Sequence, residues 1–158
     1  MPLSRPTPQL TQYSQSYEQD YVLWLDTTAA LLRQGNLAAI DLENLLEELE
    51  SMGRSEKRAL ESNLVVVLQH LLKYKYQPDK RTKSWLLSIA EHRRRLRNDL
   101  EASPSLKRYL NSVFEKCYRD ACKQASIETE QPLSVFPEAS LFTADETLDE
   151  DCLPGEVF

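Results

Sequence analysis

Basic and aromatic side chains alternate in one region of the sequence, residues 73–97. The region has nine basic and two acidic side chains, a net charge of +7, and Tyr74, Tyr76 and Trp85 lie among its first lysines. Basic groups contact phosphates and aromatic rings stack on bases, so this composition is compatible with nucleic-acid binding. We expect Arg93, Arg94 and Arg97 to point outward from their helix. The candidate binding residues are Lys73, Lys75, Lys80, Arg81, Lys83, Arg93, Arg94 and Arg97.

A second group of polar residues surrounds Gly53. Helical spacing predicts two ion pairs, Glu50 with Arg54 and Lys57 with Glu61, worth about 0.2–0.5 kcal/mol each. One interpretation is a solvated, salt-bridged helix surface. The other is a phosphate or carboxylate site, which requires a helix break at Gly53 that frees backbone N–H groups. The candidate residues of this polar cluster are Glu47, Glu50, Arg54, Ser55 and Lys57, together with His70, which lies further along the same predicted helix.

The two histidines, His70 and His92, do not belong to a metal-binding motif. Neither has a glutamate three residues before it, as a di-metal helical bundle requires. We expect His70 to be neutral and hydrogen-bonded near the core. The three cysteines form neither a C-x-x-C motif nor a pair with a nearby histidine, which favours reduced thiols. The sequence predicts no metal, no cofactor and no standard catalytic nucleophile.

The net charge of −6 is unevenly distributed. Residues 1–50 sum to −6 and residues 128–158 to −9, so the basic region lies between acidic ends. Three interpretations stay open for that region. The acidic C-terminal segment could neutralise it within the chain, an acidic protein or a second copy could bind it, or it could bind nucleic acid, which an acidic molecule with a pI near 5.0 makes the weakest of the three.

Helical periodicity is present throughout the middle of the chain and predicts an all-α fold. Helices are expected at about 17–34, 41–76, 83–102 and 104–127, with a short helical turn after Thr143. They predict an antiparallel bundle of four to five helices. The longest helix, from Asp41 to Tyr76, is expected to be kinked or broken near Gly53, because glycine is unfavourable in a helix interior by about 1 kcal/mol.

The chain divides into three predicted regions. Residues 1–15 form a flexible N-terminal lead, residues 16–127 the bundle, and residues 128–158 an acidic segment packed on the bundle with mobile last residues. Neither an apolar run of about 18 residues nor a signal-peptide pattern is present, so no membrane association and a cytoplasmic location are expected.

The order of these features resembles the domain-of-unknown-function 29 family, which is numerous in cyanobacteria. The resemblance covers residues 17–153, and its most specific piece is MGRSEKRAL at residues 52–60. It implies a small helical bacterial protein without an established activity or cofactor. The family pattern matches at Glu47, Gly53, Arg54, Ser55, Lys57, His70 and Trp85.

Three functions remain open at this point. The favoured hypothesis is a non-enzymatic interaction module of the bacterial cytoplasm, which binds an unidentified protein or a second copy of itself. The first alternative is a nucleic-acid-binding accessory protein that uses residues 73–97. The second is an enzyme with an unrecognised site near Glu47, Arg54, Lys57 and His70.

Overall fold

The computed structural model describes residues 16–155, and all regular structure in that range is helical. The predictions for residues 1–15 and for the last three residues lie outside the described range. Residues 16–19 form one helical turn, and short 3-10 turns lie at Leu37–Ala39, Pro78–Lys80 and Leu133–Val135. Five α-helices follow the first turn: α1 Tyr21–Arg33, α2 Leu42–Tyr76, α3 Lys83–Ala102, α4 Leu106–Thr129 and α5 Ala144–Leu148. The all-α prediction is confirmed.

Local signals in the sequence set the ends of these helices. The Asp20 side chain accepts a hydrogen bond from the backbone N–H of Leu23 and caps α1. Gly35 follows its other end at φ +70°, a left-handed conformation that favours glycine. Thr82 caps α3, and Thr143 forms a capping box with Glu146 at α5.

Helix α2 passes through Gly53 without interruption. The predicted helix break does not occur at this position. One glycine in 35 residues lowers helix stability by little compared with the continuous backbone hydrogen bonding. The first turn is held by Asp41, whose carboxylate accepts from the backbone N–H of Asn44 at 3.3 Å and from its side-chain amide at 2.7 Å.

The chain forms two compact units, one ending at Arg54 and the other beginning at Ser55. We call them the N-terminal unit and the C-terminal unit. In its described part, from residue 16, the N-terminal unit is a helical hairpin made of α1 and the first part of α2. It has few buried side chains: Trp24, Thr28, Ile40 and Asp41.

The C-terminal unit contains the main hydrophobic core. Apolar residues at helical spacing on the second part of α2 interdigitate with those of α3 and α4, and each fully buried leucine stabilises the fold by about 1.5–3 kcal/mol. Phe136 inserts from the C-terminal segment and meets Tyr76 edge to face at 5.1 Å. The core includes Leu60, Leu64, Val67, Leu68, Leu71, Leu72, Ile89, Leu96, Leu110, Phe114, Cys117, Tyr118, Ala121 and Ala125.

Candidate interaction surfaces

The first lysine of the basic region, Lys73, is buried with 7% of its surface exposed. Its ammonium forms an ion pair with Glu128 and lies 4.6 Å from the centre of the Trp85 ring. Lys73 is therefore committed to contacts within the chain.

Arg81 is held against the end of α2. Its Nε donates a hydrogen bond of 2.9 Å to the backbone carbonyl of Tyr74, and its guanidinium carbon lies 4.0 Å from the centre of the Tyr74 ring. Guanidinium groups prefer this stacked position over aromatic rings. The contact fixes the direction of Arg81 while its outer edge stays exposed.

The expectation that Arg93 points outward is wrong, since only 1% of its surface is exposed. Its guanidinium donates to four backbone carbonyls of the C-terminal segment: Thr147 at 2.7 Å, Cys152 at 2.8 Å, Glu146 at 3.3 Å and Glu150 at 3.5 Å. Five N–H donors in a planar fork suit several carbonyls at once. The carbonyls come from the last turn of α5 and from the residues just after it, whose oxygens lack helical partners. Arg93 is a structural anchor and is not available for binding.

The remaining arginines of the region pair with carboxylates. Arg94 contacts both oxygens of Glu91 at 2.9 Å, Arg95 contacts one of them at 2.9 Å, and Arg97 pairs with Glu150. The hydrogen bonds from Arg94 and then from Arg95 lower the pKa of Glu91 to about 2. Glu150 belongs to the acidic C-terminal segment. The charge of Arg97 is therefore neutralised within the chain, as the first of the three interpretations of the basic region expects.

Three lysines of the basic region, Lys75, Lys80 and Lys83, are exposed. Within residues 16–155 they have no ion-pair partner. They lie at the end of α2, in the connecting turn and at the start of α3. The accessible positive surface is thus smaller than the sequence count of +7 indicates.

The polar cluster around Gly53 is brought together only in part. Arg54 lies 2.8 Å from Glu47 and 3.5 Å from Glu50 on an exposed surface. Exposed pairs of this kind contribute about 0–1 kcal/mol. Lys57 has a different neighbour, with its ammonium 5.1 Å from the centre of the Tyr109 ring. Because α2 is continuous, Ser55 lies inside a helix, and the freed N–H groups of the anion-site hypothesis are absent from this position.

His70 is half-buried, and its Nδ1 donates to the carbonyl of Val66 at 2.9 Å. His92 contacts the Asn63 side-chain oxygen at 2.7 Å. Burial lowers the pKa of both histidines, so the neutral forms are favoured in the fold. Within residues 16–155, no group of three His, Cys, Asp or Glu side chains is arranged to hold a metal ion.

An exposed apolar face on the N-terminal unit is the feature that sequence reasoning missed. Leu42, Leu46 and Leu49 have the helical spacing that predicts burial, but they are 57%, 57% and 56% exposed. Met52 beside them is 64% exposed. In the C-terminal unit the same periodicity continues in buried residues, from Leu60 onwards. The stripe of α2 is therefore covered in one half and uncovered in the other.

Helix α1 adds to this face. Trp24 and Thr28 point into the hairpin, while Tyr21, Leu25 and Leu32 are 44%, 41% and 46% exposed. Residues on a helix are about 100° apart, and the two helices run antiparallel. From this geometry, the exposed apolar edge of α1 and the exposed stripe of α2 lie on the same side of the hairpin. We name the combined surface the hairpin face: Tyr21, Leu25, Leu32, Leu42, Leu46, Leu49 and Met52.

The sequence matches the profile of one protein family over residues 16–153, nearly the whole chain. That family is described as Domain of unknown function DUF29. The chain belongs to the DUF29 family. The resemblance found in the sequence is therefore confirmed. No curated protein and no solved structure gave a match.

The DUF29 match includes the N-terminal hairpin, the C-terminal core and the segment that Arg93 holds. The family description assigns no activity, so function has to be argued from geometry. Along the described part of the chain, no helix is both long and apolar enough to cross a membrane.

The C-terminal unit of this DUF29 protein also has an open cavity of about 690 Å³ against α4. Burial raises the pKa of the Cys122 thiol in its wall, which disfavours the reactive thiolate. The lining is a mixture of apolar and charged groups. It consists of Arg119, Cys122, Lys123, Leu133, Ser134, Phe136, Pro137 and Glu138.

Proposed function

We propose that this DUF29 protein is a non-enzymatic interaction module of the bacterial cytoplasm, and that the hairpin face is its protein-binding surface. The observation that supports the proposal most directly is the distribution of exposed apolar side chains. Of the sixteen large hydrophobic side chains that are exposed among residues 16–155, ten belong to residues 21–52. Single exposed leucines are common on proteins, whereas a contiguous apolar area marks an interaction site.

The regularity of the face supports the same proposal. Leu42, Leu46 and Leu49 follow one another at steps of four and three, the spacing that places knobs on one side of a helix. On α2 the same spacing forms part of the packed core from Leu60 to Leu72. This part of α2 keeps the periodicity of a core helix, but residues 16–155 do not cover it. Such a surface is suited to contact with another molecule.

The nucleic-acid alternative receives less support. Lys73, Arg93 and Arg97 are used within the chain, and Arg94 shares Glu91 with Arg95. The basic groups of the region that are accessible and have no carboxylate partner among residues 16–155 are three lysines and the outer edge of Arg81, on a molecule of net charge −6. Salt-dependent binding to nucleic acid scales with the number of phosphates neutralised, so such a surface would bind weakly.

The enzyme alternative also receives little support. Glu47 and Arg54 satisfy each other on an exposed surface, and His70 donates its Nδ1 proton to a backbone carbonyl. Lys57 lies over a tyrosine ring. General acid–base catalysis requires such groups to converge on a reacting atom, and each of these has a local partner instead.

The test is quantitative affinity capture of the full chain from bacterial lysate. The variant Leu46→Gln/Leu49→Gln is compared with the wild-type chain and with Leu87→Gln, a control in the C-terminal unit at a leucine that is 70% exposed. We expect a specific protein to be recovered by the wild-type chain and by the control, and lost with the double variant. Recovery of the same proteins by all three chains, or of none by the wild-type chain, would contradict the proposed function.

A further inference from the structure

An acidic edge borders the hairpin face on one side. At about 100° per residue, Leu42, Leu46 and Leu49 occupy an arc of about 60° on α2, and the next arc of the same helix contains Glu43, Glu47 and Glu50. All three glutamates are exposed. The apolar stripe is therefore flanked by a row of carboxylates that spans two helical turns.

The charge of the whole described hairpin has the same sign. Residues 16–54 have eight acidic side chains and two basic ones, Arg33 and Arg54. Arg54 forms ion pairs with two of the three edge carboxylates. The three side chains of these two pairs are 47–68% exposed, so replacing Arg54 by a partner's basic group costs little. Glu43 has no ion-pair partner among residues 16–155. The described hairpin therefore has a net negative charge, and three of its carboxylates border the hairpin face.

Building on the proposed function, we infer that the natural occupant of the hairpin face is an amphipathic α-helix of another protein, with apolar residues at helical spacing and lysine or arginine along one edge. Two antiparallel helices with apolar edges on the same side form a shallow floor for a third helix, the helix-in-groove mode of recognition. Basic side chains on the incoming helix would meet Glu43, Glu47 and Glu50, which sets its orientation and increases its association rate.

A second copy fits this surface less well. Two hairpin faces brought together would join two hairpins that each have eight acidic and two basic side chains over residues 16–54, and this like charge opposes their association. A basic helix gains from the same charges. Charge complementarity therefore distinguishes between two occupants that the apolar area alone cannot separate.

The inference is tested with the full chain and three synthetic peptides of about 18 residues, five helical turns. The first has leucines at helical spacing and lysines on both edges. The second replaces the lysines by glutamates, and the third has the composition of the first in scrambled order. Fluorescence anisotropy measures their affinity. We expect the lysine-edged peptide to bind at least about tenfold more tightly than either control peptide.

Two sets of variants locate the binding site. Leu46→Gln/Leu49→Gln should weaken binding of the lysine-edged peptide by at least about tenfold, the usual effect of removing two central apolar contacts. Glu43→Gln/Glu47→Gln/Glu50→Gln should weaken it severalfold and reduce its dependence on salt. The matched control is Glu101→Gln/Glu115→Gln/Glu138→Gln, three exposed acids of the C-terminal unit, which should leave affinity unchanged.

Other outcomes overturn the inference in distinguishable ways. Equal binding of the glutamate-edged peptide, or no loss with the edge variants, would exclude a basic partner while the interaction function stands. Equal binding of the scrambled peptide would exclude a helical occupant. A dimer in sedimentation equilibrium that the Leu46→Gln/Leu49→Gln variant dissociates would show that a second copy covers the face. If no peptide binds, and lysate capture is insensitive to the same variant, both the inference and the proposed function fail.

Discussion

Arg93 on α3 donates a hydrogen bond of 2.7 Å to the carbonyl oxygen of Thr147, 54 residues later in the chain. Both residues are buried, with 1% and 0% of their surfaces exposed. This contact and the three others of the same guanidinium attach the C-terminal segment to the core. The attachment can be tested independently of any partner.

Replacement of Arg93 by methionine should destabilise the fold by about 2–4 kcal/mol, because four buried or half-buried carbonyls lose their donors. Arg93→Lys should recover part of the loss, since an ammonium has three donors but lacks the planar fork. Urea unfolding measures the free energy. Arg94→Met is the control: its guanidinium is exposed, and the change should stay within about 0.5 kcal/mol. If Arg93→Met and Arg94→Met lowered the free energy of unfolding equally, Arg93 would not be a structural anchor.

The two halves of the α2 stripe should respond differently to mutation. Leu64→Ala, inside the core, should cost about 2–5 kcal/mol of unfolding free energy. Leu46→Gln on the hairpin face should change it by no more than about 0.5 kcal/mol. Thermal or urea denaturation of the isolated chain provides the comparison. A large loss from Leu46→Gln would mean that this leucine is covered within the chain.

The two histidines make stability depend on pH. Burial lowers the folded-state pKa of His70 and of His92 below the ordinary value of 6.5, despite the opposing effect of Glu128 on the first and of Glu91 on the second. Their neutral forms therefore stabilise the fold fully above about pH 6.5, and this contribution is lost as the pH falls through the lower folded-state values.

Unfolding free energies at about pH 7.5 and about pH 5.5 test this dependence. The wild-type chain should lose more stability on acidification than the double variant His70→Gln/His92→Gln, whose side chains do not titrate. Identical losses for the two proteins would assign the acid sensitivity to other groups.

The three thiols should differ in reactivity. Cys117 and Cys122 are buried, and burial raises the pKa of Cys117 to about 11. Cys152 is half-buried in the segment that Arg93 holds. A disulfide reagent such as Ellman's should therefore modify one thiol quickly and two only on unfolding. Cys152→Ser should remove the fast phase, and Arg93→Met should accelerate it; a fast phase that persists in Cys152→Ser would contradict the burial of the other two.

Local pattern was sufficient to predict the helices but not their environment. The α2 helix follows from the steps of three and four between its leucines, and the cap after residue 142 follows from Thr143 and Glu146. Periodicity identifies the side of a helix that is suited to burial. It does not say whether the covering surface is in the same chain, and for this reason Leu46 and Leu64 look alike in sequence.

The same limit applies to Arg93. It stands in a run of three arginines, and no local feature separates it from Arg94 and Arg95. Its inward direction depends on carbonyls more than 50 residues away, whose position is set by tertiary packing. Lys73 is similar, because its partner Glu128 is 55 residues distant. The excess of positive charge in the sequence therefore overstated the accessible positive surface.

The anchor formed by Arg93 donates to backbone carbonyls of the C-terminal segment and, among residues 128–155, to none of its side chains. Glu146, Glu150 and Cys152 can therefore be exchanged during evolution without loss of the four hydrogen bonds, provided that the path of the main chain is kept. In related proteins we expect this segment to drift in residue identity while its length stays nearly constant and the arginine persists. Insertions and deletions there should be selected against more strongly than substitutions.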